Sequence, residues 1–484
     1  MTKKTLLKIV KVSSPNDTSL GDTPSLSHFH VLRFTLHAAL LFITLALTSC
    51  ITLPDTEVAQ TQAHHTIGHV TPSQSVGQSF RSRRPNLNGV TLWLAPVDDV
   101  PRQINVTLRE SPTSPVVASS TIEVSQHGSI QVDFPLQADS ADRDYYLELS
   151  TQAGDVEVLG RDEDAYPEGV ARVDAIPTQG DIAFRLTYSY TLGTFGADLL
   201  KIAADLWMIF PLGLILLLPG YLILTWAFPS GKFDFGEKIA LSLALSLALI
   251  PLVMLWTSTV GIVWTQTGVA IAGGLLIFAG GIHFLKRLPT SSLQTPNSNF
   301  QYPTLALIGI FILSLTLRLI MVRDLAAPAW VDSVHHSLIT RYIIQAGGFP
   351  DSYAPHFPPD ANYYHIGYHS ILATFYWLTN LDLPRAMLIL GQVLNVLTIF
   401  AVYTFTTTLT GKKNAALIAA LITGVFTPMP AYYASWGRYT QLTGLLILPA
   451  GLVWAKLARE TSSPGGRVRV IFLSTLAFSG LFLT

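Results

Sequence analysis

The sequence predicts a polytopic α-helical membrane protein with an all-β sandwich domain inserted after its first span. Three observations carry this expectation. The chain of 484 residues is 49% hydrophobic and only 13% charged, whereas soluble domains average about 25% charged residues. Nine apolar runs approach the roughly 20 residues that a helix needs to cross a bilayer: 31–53, 204–228, 237–257, 264–285, 303–322, 386–408, 414–432, 440–458 and 469–484. Between the first two, residues 54–196 hold 19 of the 31 acidic residues and 9 of the 30 basic ones, with no lysine. This composition excludes a soluble enzyme and a disordered chain. A formal net charge of −1 leaves no basic field for nucleic acid. One cysteine, Cys50, excludes a disulfide framework and a Cys-rich metal site.

Residues 1–53 read as a cytoplasmic N-terminus followed by a signal-anchor or signal segment. Leu47-Thr48-Ser49-Cys50 also resembles a bacterial lipoprotein box; each reading leaves the following domain outside. Period-2 alternation then marks strands. Val90, Leu92 and Leu94 share one side, as do Ile104, Val106 and Leu108, then Ile130, Val132 and Phe134. Tyr145, Leu147 and Leu149 repeat the pattern, and so do Ile182, Phe184, Leu186 and Tyr188. Turn formers at about ten-residue spacing make 54–196 a β-sandwich or jelly roll. Its aromatics Trp93, Tyr145, Tyr146 and Tyr188 fit a core better than a sugar platform.

Three spans are expected over 197–302 and a further membrane core over 303–484. Orientation follows from lysine and arginine in short loops. Lys3, Lys4, Lys8 and Lys11 hold the N-terminus inside, Lys232 and Lys238 follow the second span, and Lys286 and Arg287 follow the fourth. The loop 323–385 is then outside. Segment 364–380 is apolar but short, and treating it as a surface or re-entrant helix keeps Lys412, Lys413, Lys456, Arg459, Arg467 and Arg469 inside. The last run stops at Thr484 without a polar flank, so the chain reads as incomplete there.

Chemistry concentrates in that loop, where five histidines and four aspartates fall within residues 324–369. Asp332, His335 and His336 stand at i, i+3 and i+4 of a helical stretch over 331–346, so they share a face. Val334, Leu338 and Ile343 are free to face the membrane. A partly desolvated Asp332 suits a general base. The same trio suits a divalent metal such as Mg or Mn, and the plain alternative is a set of interfacial polar residues. Asp324, Asp351 and Asp360 sit among turn formers. His365 and His369, again i and i+4, either orient a substrate or mark the wet face of the surface helix. Arg318 lies within a span, where arginine snorkels or faces a polar cavity. Arg438 lies where the loop 433–439 enters the next span, as a second candidate anion partner. Gln392 and Asn395 fit interhelical hydrogen bonds. No Walker loop, dinucleotide turn or His-Glu-x-x-His motif is present.

Over residues 303–484 this arrangement resembles the GT-C superfamily of multi-span glycosyltransferases. The residues that carry the likeness are a span at 303–322, an acidic Asp332 early in a large loop, and an aromatic and Pro-containing segment at 356–369. Gly411-Lys412-Lys413-Asn414-Ala415-Ala416-Leu417, a basic turn entering an Ala-rich span, adds to it. Many members place two acidic residues together in this loop; here His335-His336 follows Asp332 instead. The resemblance implies sugar transfer from a polyprenyl-phosphate donor to a glycan, lipid or protein acceptor at the outer face of the cell membrane. Asp332 would be the base, with Arg318, Arg438, His365 and His369 binding substrate. The rival classes are a transporter or flippase for lipid-linked glycans and a non-catalytic cell-surface sensor. Ionisable residues near the bilayer midplane would favour the transporter.

Overall fold

A computed structural model describes residues 53–98, 100–229, 231–287, 302–356 and 364–484. The chain divides into two compact units, one ending at Phe195 and the other spanning Gly196–Thr484. Cys50, Asp360 and nearly all of the 31–53 run lie outside the described residues.

The first unit is all-β, built from two antiparallel sheets. One runs β1 (Leu53–Gln60), β13 (Phe184–Tyr190), β4 (Leu87–Pro96), β9 (Val156–Arg161) and β12 (Asp181–Ile182), with β2 (His65–Val70) on β9 and β7 (Gly128–Gln137) on β4. The other runs β11 (Ile176–Pro177), β10 (Ala171–Val173), β3 (Val76–Ser82), β8 (Arg143–Ser150), β5 (Arg102–Arg109) and β6 (Val116–Val124). The alternating apolar residues of both sheets meet in one core: Val90, Leu92 and Leu94 from one, Ile104, Val106, Leu108, Leu147 and Leu149 from the other. Burying each such side chain contributes about 1.5–3 kcal/mol. Tyr145 and Tyr188 belong to the sandwich core, and the Tyr188 hydroxyl donates to Glu57 at 2.8 Å; Tyr146 is buried on the other face of β8, over Gly77. The buried Asp181 carboxylate is satisfied by Gln78 and by the backbone amides of Ala165 and Tyr166, each at 2.9 Å.

The second unit is helical. Helix α1 (Leu192–Ala204) crosses the boundary into it, followed by α2 (Ile209–Leu216) and α3 (Leu218–Ala227). Next come α4 (Phe235–Thr259), α5 (Gln266–Leu285), α6 (Tyr302–Met321), α7 (Val331–Ala346), α8 (Gly367–Thr379) and α9 (Leu383–Thr410). It ends with α10 (Lys413–Leu421), a π-helical turn at Ile422–Phe426, α11 (Pro428–Ser435), α12 (Tyr439–Glu460) and α13 (Pro464–Leu483). Six of these, α4, α5, α6, α9, α12 and α13, are long and apolar enough to cross a membrane. Two bent pairs, 192–204 with 206–216 and 413–426 with 428–435, raise the number to eight among the described residues. The protein is therefore an integral membrane protein with six to eight candidate spans among the described residues; the first of the nine expected runs lies almost wholly outside them. The 204–228 run is broken at Leu217, where Pro219 opens the next helix without a backbone donor.

Local chemistry sets several helix ends. Asp234 accepts from the Glu237 amide and Glu237 returns to the Asp234 amide, a capping box that starts α4. Asp234 also takes the Tyr403 hydroxyl at 3.0 Å and Lys413 at 3.1 Å, tying α4, α9 and α10 together. Arg385 grips Asp205 with bonds of 2.8 and 2.9 Å. Helix α8 is the 364–380 segment. At 13 residues it spans about 20 Å, too short to cross. It is not a surface helix with a wet face either: Gly367 through Phe375 are buried, packed against α4 and α7.

Candidate functional site

Helices α7 and α12, with the segment ahead of α8, build a cavity of about 540 Å³, lined by Asp332, His335, His336, Tyr353, Tyr364, His365, Arg438 and Thr440. Its floor and one wall come from α7, which starts immediately after Trp330. Ser333 holds that start, its hydroxyl donating to the Ala329 carbonyl at 2.9 Å and its amide to the Trp330 carbonyl at 3.2 Å. Gly347, in a left-handed conformation, ends the helix. The i, i+3, i+4 spacing does place Asp332, His335 and His336 on one cavity.

The turn Trp436-Gly437-Arg438 ahead of α12 packs against the first turn of α7 and brings Arg438 to the cavity lining. Gly437 has φ +73°, and a Cβ there would lie 2.7 Å from Ser333 Oγ and 3.2 Å from Asp332 Cβ. Only glycine allows this turn to sit against the first turn of α7. The consequence is an ion pair: Arg438 Nε lies 3.2 Å from Asp332 Oδ2, with both side chains a little over one-third exposed. Nε makes no aligned hydrogen bond, so the pair is a charge contact of loose geometry. The guanidinium also lies 4.4 Å over the Trp436 ring, a cation–π contact that holds it at the cavity.

Beneath the cavity lies a second layer. His336 Nδ1 is 2.9 Å from His369 Nε2. His369 is wholly buried and His336 nearly so. Burial pushes the His336 imidazole down to about 4. Burial, followed by His336 beside it, pushes His369 well below the ordinary histidine range. Burial thus favours the neutral form of both rings. Tyr368 and Tyr439 stack on each other at 5.0 Å beside His336. Tyr439 fits because Gly391 of α9 leaves room for its ring edge. Burial also raises the Tyr364 hydroxyl, which hydrogen-bonds to Thr440.

The remaining candidates fall elsewhere. Arg318 is buried on α6, away from the residues that line the cavity. Its Nη2 donates to the Gly424 carbonyl at 3.3 Å, inside the π turn whose altered register changes the backbone bonding there. His369 is under the cavity rather than on its wet surface. Asn395 donates to the Pro430 carbonyl at 2.8 Å, an interhelical bond. Asp324 pairs with Arg323 at 3.3 Å, and Asp351 is exposed outside the cavity lining. Ile343 is buried under the loop rather than facing lipid, while Val334 is exposed.

In the trio expected to hold a divalent metal, His336 Nδ1 is engaged by His369 and Asp332 Oδ2 by Arg438. Among the described residues no three His, Cys, Asp or Glu side chains converge as ligands. Sequence reading passed over Thr440 and Gln441, which follow Arg438 directly into α12 and line the cavity with it. Their closeness to Arg438 in the chain was the available signal.

No curated protein matches the chain. Residues 213–484, more than half of the chain and all of the cavity, match the model described as a family of unknown function (DUF6541), and the chain belongs to that family.

Proposed function

We propose that the protein is a membrane glycosyltransferase that moves a sugar from a polyprenyl-phosphate donor to a hydroxyl acceptor. The observation that carries this reading is the pairing of Asp332 and Arg438 on one cavity of the helical membrane unit. A base and a cation side by side are what transfer from a sugar phosphate requires. In the proposed step, Asp332 takes the proton of the acceptor hydroxyl. The acceptor oxygen bonds to the anomeric carbon as the carbon–oxygen bond to phosphate breaks. The electron pair stays on the departing phosphate, and Arg438 balances its charge. A cavity beside apolar helices lets a lipid-anchored donor reach the site without leaving the bilayer. The resemblance of 303–484 to the GT-C superfamily supports the same reading. The loop charges support a cell-membrane location with the β domain and the cavity facing outside.

The test is transfer from radiolabelled polyprenyl-phosphate sugars in membranes that carry the chain. Asp332→Asn is expected to lower transfer by about 10²–10⁴-fold, the usual contribution of a general base. EDTA is expected to leave transfer unchanged, since no ligand set converges among the described residues. Transfer that persists in the variant, or its absence from wild type with every donor class, overturns the reading.

A further inference from the structure

Helix α7 carries a cavity on each side. Asp332, His335, His336 and Ile339 line the one described above. Ser333, Val334, Ser337, Leu338 and Arg341 line a second, of about 290 Å³, completed by Pro328 of the preceding loop and by Pro384 and Met387 of α9. At 3.6 residues per turn these two sets point in opposite directions. We propose that the second cavity binds an anionic phospholipid, with its phosphate on Arg341 and Ser337 and its apolar part along Leu338, Pro384 and Met387. The proposal does not depend on the glycosyltransferase reading.

The depth of the cavity follows from α9. That helix has 28 residues and is about 42 Å long, as long as a bilayer with its headgroups. Pro384 and Met387 stand in its first two turns, which puts the cavity at headgroup level. Two apolar side chains beside it are open to the surroundings, Trp330 at 61% and Val334 at 66% exposed, and an indole favours that layer of a membrane. The polar side of the cavity is cationic. Ser337 and Arg341 stand at i and i+4, so hydroxyl and guanidinium are neighbours on one helix face. Arg341 is exposed, and neither side chain is engaged by another among the described residues. A guanidinium forks onto two phosphate oxygens, and a hydroxyl one turn away can donate to a third. No carboxylate lines the cavity. A headgroup bearing an ammonium would find no anion there, so an anionic headgroup is the better match. The apolar wall selects a lipid over free phosphate, which has no apolar part to place against it.

Native mass spectrometry of the full-length chain, in detergent micelles that hold equal amounts of phosphatidylglycerol and phosphatidylcholine, reads the occupant directly. Wild type is expected to retain phosphatidylglycerol in preference; no preference overturns the proposal. Arg341→Gln is expected to weaken that retention about tenfold, the scale of one lost charge-assisted hydrogen bond. The Arg341 side chain pairs with nothing in the fold, so this variant tests binding rather than folding. Ser337→Phe keeps the cation and fills the cavity, and it is expected to lose the lipid as well. Unchanged retention in Arg341→Gln overturns the proposal. So does wild-type retention in Ser337→Phe, which would mean diffuse attraction to a surface charge. Glycerol phosphate, a headgroup without chains, is expected not to displace the lipid; displacement by it overturns the choice of a lipid. Arg341→Gln is also expected to keep the wild-type KM for polyprenyl-phosphate mannose. A raised KM with unchanged phosphatidylglycerol retention would assign the cavity to the sugar donor and overturn the proposal. Retention is read without transfer, so a chain that transfers no sugar refutes the glycosyltransferase reading and leaves this result standing.

Discussion

Arg438 Nε stands 3.2 Å from Asp332 Oδ2 across a cavity mouth, although 105 positions separate them in the chain. The contact stabilises the fold little. Both side chains are more than one-third exposed, and exposed pairs contribute about 0–1 kcal/mol. On the proposed function its consequence is positional: each charge holds the other where a sugar phosphate and its acceptor would meet.

Arg438 and Arg318 therefore behave differently when the charge is removed. Arg438→Met is expected to leave the thermal midpoint nearly unchanged, while lowering transfer from a polyprenyl-phosphate sugar by about tenfold or more. Arg318→Met removes a buried cation that bonds the Gly424 carbonyl, and an apolar residue of similar volume is tolerated at such sites. Its transfer is expected to keep the wild-type KM. Parallel kinetics on the two variants decide the matter, and a raised KM for Arg318→Met would place that arginine on the donor's path.

Gly437 is the hinge of the same contact. Alanine there must hold φ near +73°, which costs about 1–2 kcal/mol for a residue with a Cβ. The added carbon would also press on Ser333 and Asp332. Gly437→Ala is expected to fold with a lowered thermal midpoint and to lose most transfer, because the Arg438 turn must back away from α7. Unchanged activity in this variant would show that the close approach is not needed for function.

The sandwich was readable because a strand repeats every two residues. Val90, Leu92, Leu94 and Ile182, Phe184, Leu186, Tyr188 fall on the buried face as their alternation predicts. The cluster Asp332, His335, His336 was readable for the helical counterpart of that reason. Pairings across the chain were not. Nothing local to His336 signals that His369 lies 2.9 Å away, nor does any spacing link Arg438 to Asp332. Of the two readings open for His365 and His369, a wet face fails for His369; histidines at i and i+4 look polar in one dimension. In the fold His369 finds an imidazole partner and sinks into the core. Arg318 looked like an anion clamp because a span offers an arginine few polar partners; the π turn at Ile422–Phe426 supplies a carbonyl that no hydropathy pattern shows.

The histidine pair also makes the fold sensitive to acid. In the unfolded chain both imidazoles titrate near 6.5. In the fold burial holds His336 at about 4 and His369 well below its ordinary range. Between those limits the unfolded chain binds more protons than the native one, so stability falls as the pH falls and is fully present above the unfolded value. The effect is at most about 1.4 kcal/mol per pH unit for each imidazole. Other carboxylates titrate over part of this range, so the informative quantity is a difference. The wild-type thermal midpoint should fall more steeply between pH 6.5 and 4.5 than that of a variant carrying both His336→Gln and His369→Gln, while above pH 7 the two curves run parallel. Curves that stay parallel down to pH 4.5 would mean that the folded protein accepts a proton on this pair, which burial makes costly.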